Sequence, residues 1–539
     1  MKKNVLYAAL LALYPLCTSA FAGYSVPAGC TTPATFKNQW YVDPINGSDA
    51  GDGSQAKPWK TLQTVFSSGM VGYQTATKFP WVIGEALKPI PASAVVQPGD
   101  VIWLASGDHG SVTLRGAFNS SFIAIKALPG ATPVLHNFSI VSGSHWIVDG
   151  ITLLSLNPTP GKLAPYLLSA MSTTYFGTLD NIIFNGNILQ SQADVSSWLP
   201  VDWRNKVSSG IRVYAGWVNP DGTTDYNGVY DGTCFAVTNN KISNIGTAMA
   251  VQQVDHVLIS GNIVNNLVDD GLDYSFSDAV VTRNIMTNFI DDGDGMHRDA
   301  MQGQAYWGEQ TYNHDIVFSN NNVVQQTNNR VPYPACIQGI NTFDGKWHNI
   351  TAYGNSLFIS NYHGLIFYGV DGATIANNTV LSVSAPTSCT LSADAPLTSA
   401  PASAGPPNDT VLNRGFTWIG THDGKDGTPS TNIVIRNNIA STYSLSATGT
   451  HTFDHNIVAG TNQKIWIPLP TGAVAPVIVD PNSLFVHFKP STYSTNIRPA
   501  PGSPSIGTGI VVPVVTSPDL YGAARKSPPD IGMAAFVAP

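Results

Sequence analysis

The chain has 539 residues, a formal charge of −8 and only 11% charged side chains, against 43% hydrophobic and 10% aromatic ones. Its scattered lysines and arginines exclude the basic stripe that a nucleic-acid partner requires. Only two glutamates occur, Glu85 and Glu309, so carboxylate chemistry falls to aspartate. Abundant Gly, Pro and aromatics with scarce Lys and Glu is an all-β composition.

The first element in chain order is "MKKNVLYAALLALYPLCTSAFAG". Two lysines, a short apolar run and a small-x-small ending predict a secretory signal peptide over 1–22, cut before Gly23. No later apolar run reaches the roughly 18 residues of a membrane span, so the expectation is an exported protein, periplasmic or extracellular. Cys17 leaves with the signal, and Cys30, Cys234, Cys336 and Cys389 remain. Four cysteines permit two disulfides in three connectivities, and the absence of a Cys-x-x-Cys pair argues against zinc.

Residues 23–110 read as an opening segment, with one short capping helix near "KTLQTVFSSG". From 111 to 465 a repeat takes over: "VTNNKISNI", "LISGNIVNN", "VTRNIMTNF", "FSNNNVVQQ", "AYGNSLFIS", "IANNTVLSV", "VIRNNIAST". Asn240, Asn262 and Asn284 are spaced by 22 residues, and Asn355 and Asn378 by 23. The gaps from Asn284 to Asn322 and from Asn322 to Asn355 are longer and fit the same unit with an inserted loop. Short aliphatic strands and asparagine turns at this period predict a single-stranded right-handed parallel β-helix, a solenoid whose units stack because none can bury its inner face alone. Stacked asparagines are expected to form a hydrogen-bonded ladder.

Two excursions interrupt the repeat. Residues 192–232 are rich in Trp and Tyr, suited either to cover the core or to stack on sugar rings. Residues 383–413 are a Pro/Ala/Ser loop. Residues 466–539 form a closing segment.

The strands "GIRVY", "GLDYS", "AMQGQ", "CIQGI" and "GLIFY" can be aligned by their turns. Strand alternation then puts Leu272 and Met301 inside and predicts an outward column of Arg212, Asp273, Gln302 and Gln338, with Tyr214 and Tyr368 beside it. A slip of one residue would exchange the faces. The loops leading in carry Asp269 and Asp270, then Asp291, Asp292, Asp294, His297, Arg298 and Asp299, then Arg330, then His363. Turn chemistry accounts for some of these aspartates. A lone turn does not need His297, Arg298 and Asp299 together, and that trio is the predicted centre of the site.

"YVDPINGSDAGDGSQAKPWKTLQ" and "QPGDVIWLASGDHG" near the start, with "PAPGSPSIGTG" and "DLYGAARKSPPDIGMAAF" near the end, resemble the opening and closing segments of secreted right-handed β-helix proteins of the pectate-lyase-like type. "GMHRDAMQ" is similar to the His-x-Asp-Gly-x-Gln motif of β-helix proteins acting on polysaccharides, with Ala300 where Gly is usual. The resemblance implies a polysaccharide substrate and leaves the reaction open, since this scaffold serves lyases, hydrolases, epimerases and adhesins.

The first expectation is a lyase that cleaves a uronic-acid polymer by β-elimination. His297 would be the base, Arg298 or Arg330 would bind the substrate carboxylate, and Asp269, Asp270, Asp291, Asp292 and Asp294 are candidate ligands for Ca²⁺. Gln302, Gln338, Arg212, Tyr214, Tyr368 and His363 are expected to line the groove. The alternative is a glycoside hydrolase using paired aspartates, from Asp273, Asp292 and Asp299. A further alternative is a non-catalytic carbohydrate-binding surface protein. The usual Lys/Arg base motifs of β-helix lyases, the polygalacturonase set and the epimerase Asp-Pro-His-Asp motif are absent. Oligomeric state is not legible.

Overall fold

A computed structural model describes residues 33–537 except 83, 156–164, 219–223, 226–231, 305–312, 329–330, 384–416, 447–448, 461–468, 470–471, 490–493 and 516–517. The signal-like segment, Cys30, Cys389 and Arg330 therefore lie outside the described residues.

The chain is all-β, built from long stacks of parallel strands. Met249–Ser260 shows how one unit is made. Its first part pairs with the strand before it, Ile211 opposite Met249 through Tyr214 opposite Gln252. Its second part pairs with a different strand, Gly232 opposite Val254 through Thr238 opposite Ser260. Between the two parts the strand turns a corner at Gln253, whose φ is 53°. Ile263–Leu267 then forms a third face, and Leu272–Thr282 repeats the course one layer on. Each layer thus has three strands. The first two faces run together as one 20-stranded sheet, and the third belongs to a 13-stranded sheet.

Alternation fills the interior. Leu272, Tyr274 and Phe276 are inside, as are Met249, Val251, Met301, Ile340 and Leu365 on neighbouring layers. The corner after the second face is made by a residue with positive φ followed by a buried asparagine: Gly261–Asn262, Arg283–Asn284, Asn320–Asn321, Gly354–Asn355. Each buried amide donates to the next asparagine's Oδ1, as Asn262 does to Asn284 (2.9 Å) and Asn284 to Asn321 (3.0 Å). That same Oδ1 also takes the backbone N–H of the preceding asparagine, so the turn's buried polar groups are satisfied layer by layer. The ladder residue after Asn284 is Asn321, not the predicted Asn322.

A second column of positive φ sits inside the second face at His256, Asp278, Asp315, Asn349 and Asn432, residue types that tolerate this conformation. The stack is closed at one end by the helix Leu62–Ser67. Thr61 caps it by accepting from Thr64 N–H (3.1 Å), and Phe66 packs on Phe138 and Trp146. The C-terminal segment braces the asparagine corner: Asn377 donates to Asp530 O and Asn437 to Ile510 O. No helix among the described residues is long and apolar enough to cross a membrane.

Candidate active site

The site lies on the first face, where four carboxyl groups meet. Asp273 points outward because Leu272 and Tyr274 are fully buried on either side of it. Its Cα partner on the next layer is Gln302, and Gln302 pairs with Asn341. Counting back three residues sets Asp270 level with Asp299, and Asp299 pairs with Gln338. Asp270 Oδ1 accepts the backbone N–H of Asp299 (2.6 Å).

The carboxyl groups of Asp270 and Asp273 lie close enough to interact and to share a proton. Burial pushes Asp270 well above the usual carboxylate range, and the negative charges of Asp273, Asp269 and Asp299 push it further. Burial also raises Asp273, to about 7, against the opposing pull of the Asp270 bond and of Arg212. The two carboxyl groups therefore titrate as one unit that holds a proton more tightly than a free carboxylate does. Asp273 Oδ1 has no hydrogen-bond partner. Beside the pair, Asp269 is exposed and accepts from the Thr247 hydroxyl (2.8 Å).

His297 stands at the rim, its side chain 53% exposed, with Nδ1 at 2.7 Å from Oδ2 of the fully buried Asp299. Asp299 Oδ1 accepts from Asn341 Nδ2 (2.6 Å). The carboxylate bond raises the imidazole pKa, against partial burial, and the charge of Asp299 adds to the rise. The expected trio is thus only partly a site, because Arg298 turns inward.

Arg298 is the main correction. Its guanidinium is buried and fully engaged: Nε donates to Val268 O (2.8 Å), Nη1 to Met296 O (2.5 Å), and Nη2 to Asp292 (2.6 Å) and Asp294 (2.9 Å), with Asp291 at 3.5 Å. It cannot reach a substrate carboxylate. The same geometry divides the expected calcium set between two places. Asp291, Asp292 and Asp294 wrap Arg298, while Asp269 and Asp270 belong to the carboxyl cluster. Burial raises Asp292 to about 6 even beside Arg298. Among the described residues, the group whose ligand atoms do converge, all within 4.8 Å, is Asp278, His314 and Asp315 on the second face. There His314 Nδ1 and Asp315 Oδ2 are already bonded to each other (2.9 Å).

The predicted groove residues fall into two parts. Arg212 lies over the rings of Tyr166 (5.5 Å) and Tyr214 (5.4 Å) on the Asp273 side. Gln302 accepts from Gln304 (2.9 Å). Gln338 is displaced from the predicted column, where Asn341 stands instead. The run Cys336–Phe343 is buried on both sides, so alternation offers no register there. Gln338 Oε1 instead bonds His363 Nδ1 (2.6 Å), and His363 Nε2 meets the Tyr368 hydroxyl (3.2 Å).

His363 sits in an aromatic group that sequence reasoning missed: Tyr362 at 4.0 Å, Phe343 at 4.9 Å and Trp418 at 5.9 Å, with His422 stacked on Tyr368 at 5.3 Å. Trp418 pairs level with His363 across the second excursion, and the loss of period there hid it. Trp198 and Trp203, predicted as a cover or a sugar platform, pack edge to face at 5.0 Å and are buried with Val207, Val268 and Ile290, so they are cover.

No family model and no curated protein matches the chain. Among solved structures it is similar to a GH136 lacto-N-biosidase from Eubacterium ramulus (10% identity, TM-score 0.37), covering 78% of this chain and 63% of that one. The pectate lyase Pel9A shares 14% identity at a TM-score of 0.34, covering 93% and 97% of the two chains. An alginate lyase from Paenibacillus sp. shares 14% at 0.31, covering 52% and 88%. The chain thus spans less than two thirds of the lacto-N-biosidase structure's length.

Proposed function

We propose that this chain is an exported polysaccharide-degrading enzyme, a single right-handed parallel β-helix that hydrolyses glycosidic bonds at the Asp269–Asp270–Asp273 cluster. The observation that carries the reading is the proton-sharing Asp270–Asp273 pair, with the exposed Asp269 beside it. Glycoside hydrolysis needs one carboxyl group kept protonated near neutrality and a second to act on water, and environment sets the two apart. Asp273 is the acid. It protonates the glycosidic oxygen as the bond to the anomeric carbon breaks with its electron pair going to that oxygen. Water adds at the anomeric carbon and gives its proton to Asp269. His297, its pKa raised by Asp299, is a hydrogen-bonding partner for a sugar hydroxyl. The aspartates first paired with Asp273 as candidates, Asp292 and Asp299, are buried against Arg298 and His297, so Asp269 takes that place.

The hand of the coil follows from the strong bias of parallel crossovers. Export is supported by the N-terminal segment and by Cys234 and Cys336, both in disulfides, as an oxidising compartment allows. β-Elimination is the second reading, favoured by the His297–Asp299 pair as a base. It needs a cation or metal for the substrate carboxylate, and Arg298 does not supply one. Assaying purified protein on acidic and neutral polysaccharides for new reducing ends and for unsaturated products tests the proposal. Reducing ends without unsaturation are expected, and unsaturated products would overturn it.

A further inference from the structure

We infer that the substrate is a neutral glycan whose chain runs along the coil axis, with one sugar ring held on an aromatic subsite formed by Tyr362, Trp418, Tyr368 and His422. This rests on the glycan-cleaving reading above and adds a substrate class and a second contact point.

The placement follows from the register. Asp273, Gln302, Asn341, Ile366 and Gly420 are successive partners on five consecutive layers. Layers about 4.8 Å apart put the aromatic group, on the last two of these, about 14–19 Å along the stack from the carboxyl cluster. His297, at the acidic end, is near enough to His363 and Lys425 to interact with them electrostatically. A linear polymer lying on this face meets both the carboxyl cluster and the aromatic group.

The chemistry of the group fits an uncharged ring. Tyr362 is 45% exposed, and Trp418, Tyr368 and His422 are partly so. Trp418 lies edge-on to Tyr362 at 5.2 Å and tilted on His422 at 5.9 Å, so ring faces and edges are both presented. Such surfaces favour the apolar C–H faces of a sugar. The two imidazoles carry no charge at neutral pH: burial drives His363 down to about 3, with His422, His297 and Lys425 adding, and burial lowers His422.

Among the described residues, two cations of this face are held by carboxylates: Lys425 Nζ is bonded to Asp344 (2.8 Å) and Arg298 is enclosed by its aspartates, while Arg212 lies over Tyr166 and Tyr214 at the acidic end beside Asp273. At the acidic end the four aspartates outnumber Arg212 and His297, and at the other end the rings are neutral, so an uncharged sugar is favoured over a uronate.

Binding separates this inference from the reaction. Full-length Asp273→Asn protein, whose turnover should be slowed by about 10²–10⁴, is titrated with neutral polymers (xylan, galactomannan, β-glucan) and with polygalacturonate and alginate. At least one neutral polymer should bind more tightly than either polyuronate. Trp418→Ala and Tyr362→Ala should each weaken that binding about tenfold with the unfolding midpoint unchanged, and Lys425→Met should change it less than about twofold. Tighter polyuronate binding, no binding to any polymer, or full affinity in both aromatic variants would overturn the inference. A wild-type chain that binds a neutral polymer at this subsite yet releases no reducing ends would instead overturn the hydrolase reading.

Discussion

Replacing Asp273 by Asn should remove activity and raise stability, and the two effects share one cause. Asn keeps the size of the side chain and donates to Asp270 in place of the shared proton, but it cannot ionise. In the native protein burial holds Asp273 near 7, against an ordinary 3.8. A shift of about three units is worth about 4 kcal/mol at most, at 1.36 kcal/mol per unit. The folded carboxyl group has the higher pKa, so the folded state binds more protons between these values. Wild-type stability therefore falls as pH rises from about 4 to about 7, and the full cost is present above 7. Asp273→Asn should match wild type below about pH 4 and exceed it by up to about 4 kcal/mol at about pH 8. Urea unfolding across this range reads the difference directly. Loss of the general acid should lower kcat by about 10²–10⁴, and wild-type activity should fall as pH rises past about 7. A variant less stable than wild type at the alkaline end, or one that keeps its turnover, would refute the reasoning.

Arg298→Met leaves Asp291, Asp292 and Asp294 without their counter-charge and should cost about 3–5 kcal/mol in unfolding free energy. A loss of activity with unchanged stability would instead return Arg298 to the site. Asn284→Ala removes the side-chain partner of the Ile259 carbonyl and of the Asn262 N–H, and denaturant titration should show about 3 kcal/mol of destabilisation. His297→Ala removes a hydrogen-bonding partner of the substrate and should lower kcat/KM by about tenfold to a hundredfold. Complete loss would make His297 the base, as elimination requires.

The stacked, parallel architecture was legible because its cause is local and periodic. Each layer needs a corner, each corner needs a positive φ and a buried amide, and Asn-rich turns at a spacing of 22 announce both. The outward position of Asp273 followed from alternation with Leu272 and Tyr274. Three things were not legible. Arg298 and Asp299 are adjacent in a charged turn, and their composition does not say that one faces its own loop's aspartates while the other supports a histidine. Gln338 lies in a run buried on both faces, where alternation carries no register. Trp418 and His422 join the site across a long excursion that erases the period, so only pairing in three dimensions sets Trp418 beside His363.

The central claim is that water, admitted by Asp269 and Asp273, splits a glycosidic bond. Mass spectrometry of every product from a defined oligosaccharide tests it most directly. Hydrolysis predicts that the two fragment masses sum to the parent plus one water, and that Asp273→Asn protein yields no fragments. Fragments that sum to the parent mass alone, one bearing a carbon–carbon double bond, would contradict the account.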